Sequence, residues 1–151
     1  MPQPVDVGRI TAGFRGKMFR SDGSRWGQCS QWALSGTVTS TDEQPLGSAW
    51  PVAVAQSFAA TLTVSELVID DEIPRAVLEG IQDITNPHLP IFRFVGERNI
   101  GESTSTLVID ACTPDGTFPI ADAIPGQTMT RDLTFRVGTP PDPAGLLPRY
   151  A

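Results

Sequence analysis

The sequence predicts a mainly β protein: an antiparallel β-sandwich or partly open barrel of about seven strands, one flanking α-helix and an extended arm at each end. Three observations lead there. Apolar and polar residues alternate with a period of two in several segments, the pattern of strands with one buried face. A single segment carries an apolar stripe at helical spacing. Glycine and proline, 14 of each, are scattered without a period, which suits many short strands joined by turns.

In chain order, residues 1–11 hold two prolines and no periodicity, and read as an N-terminal arm. Phe14–Arg20 reads as a first strand, Ser21-Asp22-Gly23-Ser24 as a turn, and a second strand begins near Gln28. From Gln31 the alternation is regular: Trp32, Leu34 and Val38 on one face, Ala33, Ser35, Thr37 and Thr39 on the other. Residues 39–51 break that pattern and read as a long polar loop carrying Leu46 and Trp50. Alternation returns with Phe58, Ala60, Leu62 and Val64 against Ser57, Ala59, Thr61, Thr63 and Ser65.

The helix follows. Asp70 or Asp71 is placed to cap it, Pro74 fits a first turn, and Ile73, Val77, Leu78, Ile81 and Ile84 form its apolar stripe before Asn86-Pro87 ends it. Further strands are expected at Leu89–Glu97, Ser103–Cys112, Phe118–Ala123 and Thr128–Val137, with Arg131 the exception on the apolar face of the last. Residues 138–151, with Pro140, Pro141, Pro143 and Pro148, read as a C-terminal arm. The 151 residues suit a single domain, 1–151.

Composition excludes several classes of function. A net charge of −6 is the wrong sign for gripping nucleic-acid phosphates. Cys29 and Cys112 belong to no CxxC pair and supply no metal-ligand spacing; they read as two thiols whose pairing stays open. The first residues lack the basic and apolar regions of a secretory leader, and no apolar stretch is long enough for a membrane span. The expectation is a soluble protein made in a cytoplasm.

Catalytic chemistry is equally sparse. His88, the only histidine, lies between prolines after the helix and has no GxSxG beside it. Gly8–Gly13 matches half of a phosphate-binding loop, but Phe14-Arg15 stands where Lys and Ser/Thr are required. Asp70-Asp71-Glu72 is better explained as acids at a helix start than as a metal cluster. Trp26, Trp32 and Trp50 could stack on bases or sugars, but no basic groove accompanies them, and core or interface is the simpler reading. No cofactor and no enzymatic activity are expected.

The order of parts is itself informative. A first strand with Gly16-Lys17-Met18-Phe19-Arg20 is followed by a short hairpin, then by an alternating strand ending in the 39–51 loop. A long strand from Val52, one capped helix and several strands complete the chain. This order resembles the tail tube family of long-tailed bacteriophages, which shares a fold with the inner tube of contractile injection machines. The likeness covers nearly the whole chain as architecture, without a short signature motif.

It implies a structural virion protein, made in the host bacterial cytoplasm, whose copies close hexameric rings that stack into a tail tube. Partners would be further copies, the tape measure in the lumen, the tail terminator, and a baseplate or tip; DNA would pass through without specific binding. The long loop, with Asp42, Glu43, Leu46 and Trp50, would meet the neighbouring ring. Glu66, Thr130, Asp132 and Thr134 would face the lumen. A capsid decoration protein or tail terminator is the alternative reading, and a carbohydrate-binding module a third.

Overall fold

A computed structural model describes residues 16–20, 23, 26, 29–68, 71–100, 103–123 and 125–146. The chain is mainly β. Strands β1 (Gly16–Phe19), β2 (Cys29–Glu43), β3 (Val52–Leu67), β4 (Phe92–Ile100), β5 (Ser103–Pro114) and β6 (Thr130–Val137) form one antiparallel sheet in the order β1-β4-β5-β6-β3-β2. Helix α1 (Glu72–Ile81) lies between β3 and β4 in sequence.

The sheet is open, yet its two halves share one core. Met18, Phe94, Leu107 and Ile109 come from β1, β4 and β5, and they cluster with Leu62, Val64, Leu133 and Phe135 from β3 and β6. Trp32 of β2 lies so close to Gly96 of β4 that a Cβ there would stand 2.7 Å from its ring. The sheet is therefore bent over on itself. The bend is at Asp110–Ala111, where β5 carries an extra residue between the Phe94↔Ile109 and Phe92↔Cys112 pairs. Ala111 adopts φ 55°, and its amide donates to the Asp110 carboxylate at 2.8 Å. Beyond this bulge β5 pairs with β6 through Cys112, Thr113 and Pro114, which joins the two halves.

Period-two burial explains the strands. Even-numbered residues of β3 from Ala60 to Glu66 and odd-numbered residues of β6 face the core, and opposed pairs such as Leu62↔Phe135 and Val64↔Leu133 meet there. Trp26 stacks on Phe94 at 5.3 Å, and Phe135 meets Phe94, Phe92 and Phe118 at 5.2, 5.6 and 5.8 Å. Each such ring adds about 0.5–1.5 kcal/mol beyond its buried area.

Several boundaries differ from the sequence reading. The described residues hold six strands, because 118–123 forms none: Pro119 removes a ladder donor, and Phe118 is held by ring packing instead. The 39–51 segment is ladder as far as Glu43, where β2 ends, and the loop itself is residues 44–51, before β3 starts at Val52. Helix α1 stops at Ile81, leaving Ile84 exposed, because Asp83 accepts hydrogen bonds from the amides of Thr85 and Asn86 and closes a turn. Gly80 is required there: a Cβ would stand 2.6 Å from the His88 carbonyl.

Of the C-terminal arm, residues 138–146 are described, and they return to the body. A 3₁₀ turn, Pro143–Gly145, seats against β5, and the Ser105 hydroxyl donates to the Gly145 carbonyl. The arm 1–11 and residues 147–151 lie outside the described residues.

Candidate assembly surfaces

The β2–β3 hairpin dominates the surface. Its base belongs to the sheet, but residues 35–43 and 51–58 are exposed throughout, so its outer half leaves the body. A bulge at Gln56, between the Thr39↔Ser57 and Ser40↔Ala55 pairs, reverses the alternation of β3 part-way along. Apolar side chains consequently emerge on both faces: Val38 beside Phe58 on the core-side face, Val52 and Val54 on the other. A two-stranded ribbon is at best marginally stable alone in water. Single exposed apolar residues need no explanation, but a group of them on such a ribbon marks an interaction surface.

The tip is an ordered turn. Gly47 supplies φ +82°, the Ser48 amide donates to the Pro45 carbonyl at 3.1 Å, and Gln44 Nε2 donates to the Ser48 carbonyl at 2.9 Å. The Trp50 amide donates to Ser48 Oγ at 3.2 Å. This turn presents Leu46 fully and Trp50 at 80 % exposure. Asp42 and Glu43 lie in the ladder, opposite Ala53 and Val52, and both are exposed. Of the three tryptophans described, Trp26 is buried and Trp32 half-buried; only Trp50 is available to a partner.

A second feature is the sheet edge. Among the described residues β2 has a strand on one side only, over 15 residues without proline. Soluble proteins blunt such edges with charge, proline or a covering segment. Here charge appears only at the tip, as Asp42 and Glu43.

The outer face of β3 and β6 is rich in hydroxyls. Thr130 and Asp132 are exposed and Thr134 is half-buried; Asp132 stands opposite Ser65, whose hydroxyl donates to it at 2.6 Å, and Thr134 stands opposite Thr63. Arg136 shares this face, opposite Thr61.

Glu66 does not join it. Its even number puts it on the core face with Leu62 and Val64, and it is 2 % exposed. It lies opposite Arg131, whose Nε donates to Glu66 Oε1 at 2.6 Å, while Trp26 Nε1 donates to Oε2 at 3.1 Å. The Arg131 Nη1 reaches Asp71 Oδ1 at 2.8 Å. Asp71 thus stands at the N-cap position of α1 with its side chain turned to Arg131 instead of a helix amide. Burial works against the guanidinium's charge, but the hydrogen bonds to Asp71 and Glu66 outweigh it, so the Arg131 pKa moves up from its ordinary value. The network ties β3, β6, α1 and the β1–β2 connection together. A lumen role for Glu66 is therefore corrected to a core one. The sequence held the signal: Glu66 and Arg131 each interrupt an apolar face, with opposite charges.

His88 is exposed, and its Nδ1 donates to the Asn86 carbonyl at 2.8 Å, while its backbone amide donates to Gly80 and closes the end of α1. Cys29 and Cys112 are free thiols. Among the described residues no three His, Cys, Asp or Glu side chains gather as metal ligands, and no helix is long and apolar enough to cross a membrane.

No protein-family model matches the chain, and no curated protein matches it in sequence. Solved structures do match its fold. A chain from the sheath/tube terminator of PVC, an extracellular contractile injection system in its extended state, aligns with TM-score 0.58 at 12 % identity, covering 91 % of this chain and 95 % of that one. A chain from the virion of a native gene transfer agent aligns with TM-score 0.58 at 9 % identity, covering 87 % and 97 %. A chain from the tube-terminating cap of the anti-feeding prophage aligns with TM-score 0.58 at 15 % identity, covering 89 % and 91 %. The fold is thus one shared with chains of a sheath/tube terminator, a tube-terminating cap and a gene transfer agent virion.

Proposed function

We propose that this chain is a non-catalytic structural subunit of a phage-like tail, whose copies close hexameric rings that stack into a tube for genome delivery. The observation that carries the proposal is the β2–β3 hairpin: half of its length leaves the body, and its tip is a fixed turn presenting Leu46 and Trp50. The open β2 edge supports lateral pairing between copies, as the hairpin supports contact between successive rings. Likeness of fold to chains of contractile injection systems and a gene transfer agent virion supports a place in such particles. In this reading Thr130, Asp132 and Thr134 line the bore and let DNA slide. Other tail proteins, among them a tape measure, a terminator and a baseplate or tip, are its partners in the particle.

A second reading, a tail terminator that forms one ring and stops, is favoured by the likeness to chains from a terminator and a cap structure. Electron microscopy of the purified protein over a range of concentrations separates the two. Stacked sixfold rings support the tube; single rings that never stack support the terminator. A monomer at millimolar concentration would overturn both.

A further inference from the structure

We infer that the groove beside the C-terminal 3₁₀ turn is the acceptor for the hairpin tip of a second copy of this chain. The inference rests on the self-assembly reading and names one contact within it. The groove, of about 280 Å³, is walled by Leu34, Phe58 and Ala60 from the base of the hairpin and by Leu107, Pro143 and Leu146. Its shape is preformed. A Cβ at Gly36 would collide with the Phe58 ring, so this ring lies directly across β2. Opposite, Gly145 packs where a Cβ would meet the Thr106 carbonyl, and its own carbonyl is held by Ser105. Of the polar groups at the rim, Asp142 Oδ1 already accepts from the Ala144 amide at 2.9 Å. The lip is apolar and open, with Phe58 66 % and Leu146 54 % exposed.

Such a groove lies at the small end of the pockets that take ligands, and one large side chain is of a size to enter it. The chain displays such a side chain: Trp50 on a fixed turn, with Leu46 beside it. A molecule's own tip is out of reach. Trp50, in the tip turn, and Phe58, on β3, are eight residues apart, about 26 Å at strand rise, and the ladder from Thr39↔Ser57 to Glu43↔Val52 keeps the hairpin extended. A hairpin tip seated in this groove therefore comes from another copy. Donor and acceptor are different patches, so the contact is head-to-tail and repeats from copy to copy. Asp42 and Glu43 near the tip and Asp142 at the groove carry like charge, so apolar burial must carry the contact and added salt should strengthen it.

The test uses the full chain. W50A and L146E change exposed side chains, and unchanged thermal unfolding of each checks that the fold survives. Each should raise the concentration for half-assembly about thirtyfold, the effect of losing a central aromatic anchor. A mixture of C29S/W50C and C29S/L146C copies should oxidise to a heterodimer whose disulfide joins positions 50 and 146. Loss of assembly in W50A with normal assembly in L146E overturns the groove as acceptor while leaving the hairpin in its assembly role. Normal assembly in both variants leaves the groove to another protein of the particle and also overturns the inference. A wild-type chain that never assembles removes the self-assembly reading, and this contact with it.

Discussion

Replacing Arg131 by methionine isolates the contribution of the buried charges. Arg131 and Glu66 side chains are 7 % and 3 % exposed and meet at 2.6 Å. Methionine fills much of the volume but leaves the Glu66 carboxylate out of water, with Trp26 Nε1 still donating to it at 3.1 Å. Asp71, 55 % exposed, regains water and should contribute little. Breaking a buried pair on one side costs about 3–5 kcal/mol, because the surviving charge is stranded. For a chain of this length that is a fall in Tm on the order of 10 °C. The double variant E66L/R131M removes both charges and should recover most of the loss, landing within about 2 kcal/mol of wild type. Urea unfolding followed by tryptophan fluorescence measures all three proteins. A loss below about 1 kcal/mol in R131M, or a double variant no better than the single, would refute the reasoning.

Three further outcomes are expected. His88→Ala should leave assembly unchanged and stability within about 0.5 kcal/mol, since the backbone of residue 88 makes the helix-closing bond; a large functional loss in a folded variant would give the imidazole a role. Asp132→Lys should still permit tubes but slow genome ejection at low salt, with the effect fading as ions screen the charge; a normal rate would remove Asp132 from the bore. Burial pushes the Cys29 and Cys112 thiols up from 9.0 to about 11 and about 12. The folded state therefore holds these protons more tightly than the unfolded chain. Stability should be insensitive to the thiols below pH 9 and fall as pH rises from 9 towards 11–12; a C29S/C112A variant that shows the same alkaline decline would show that other groups cause it.

Period-two patterning made the strands legible: Leu62, Val64, Leu133 and Phe135 are buried as their alternation requires. The same rule, carried two residues past Val64, would have placed Glu66 in the core. Reading it as a surface acid let charge override periodicity, and only the ladder shows that Arg131 stands opposite. The 39–51 segment misled for the converse reason. Polar residues and a proline look like loop, but Ser40–Glu43 are held in strand by backbone pairing to β3, which is indifferent to side-chain polarity. In helix α1 the stripe was right at Ile73 and Val77 and ran too far, because the Asp83 turn stops the helix before Ile84.

Local sequence thus determined the class of fold, the faces of the central strands and the one helix, since these follow from each residue's own side chain and its immediate neighbours. Tertiary structure decided the open sheet folded over at Ala111, the Glu66–Arg131–Asp71 network, and the hairpin standing clear of the body above a groove. Those features depend on which distant strand lies opposite which, and a period of two along one strand says nothing about register with another.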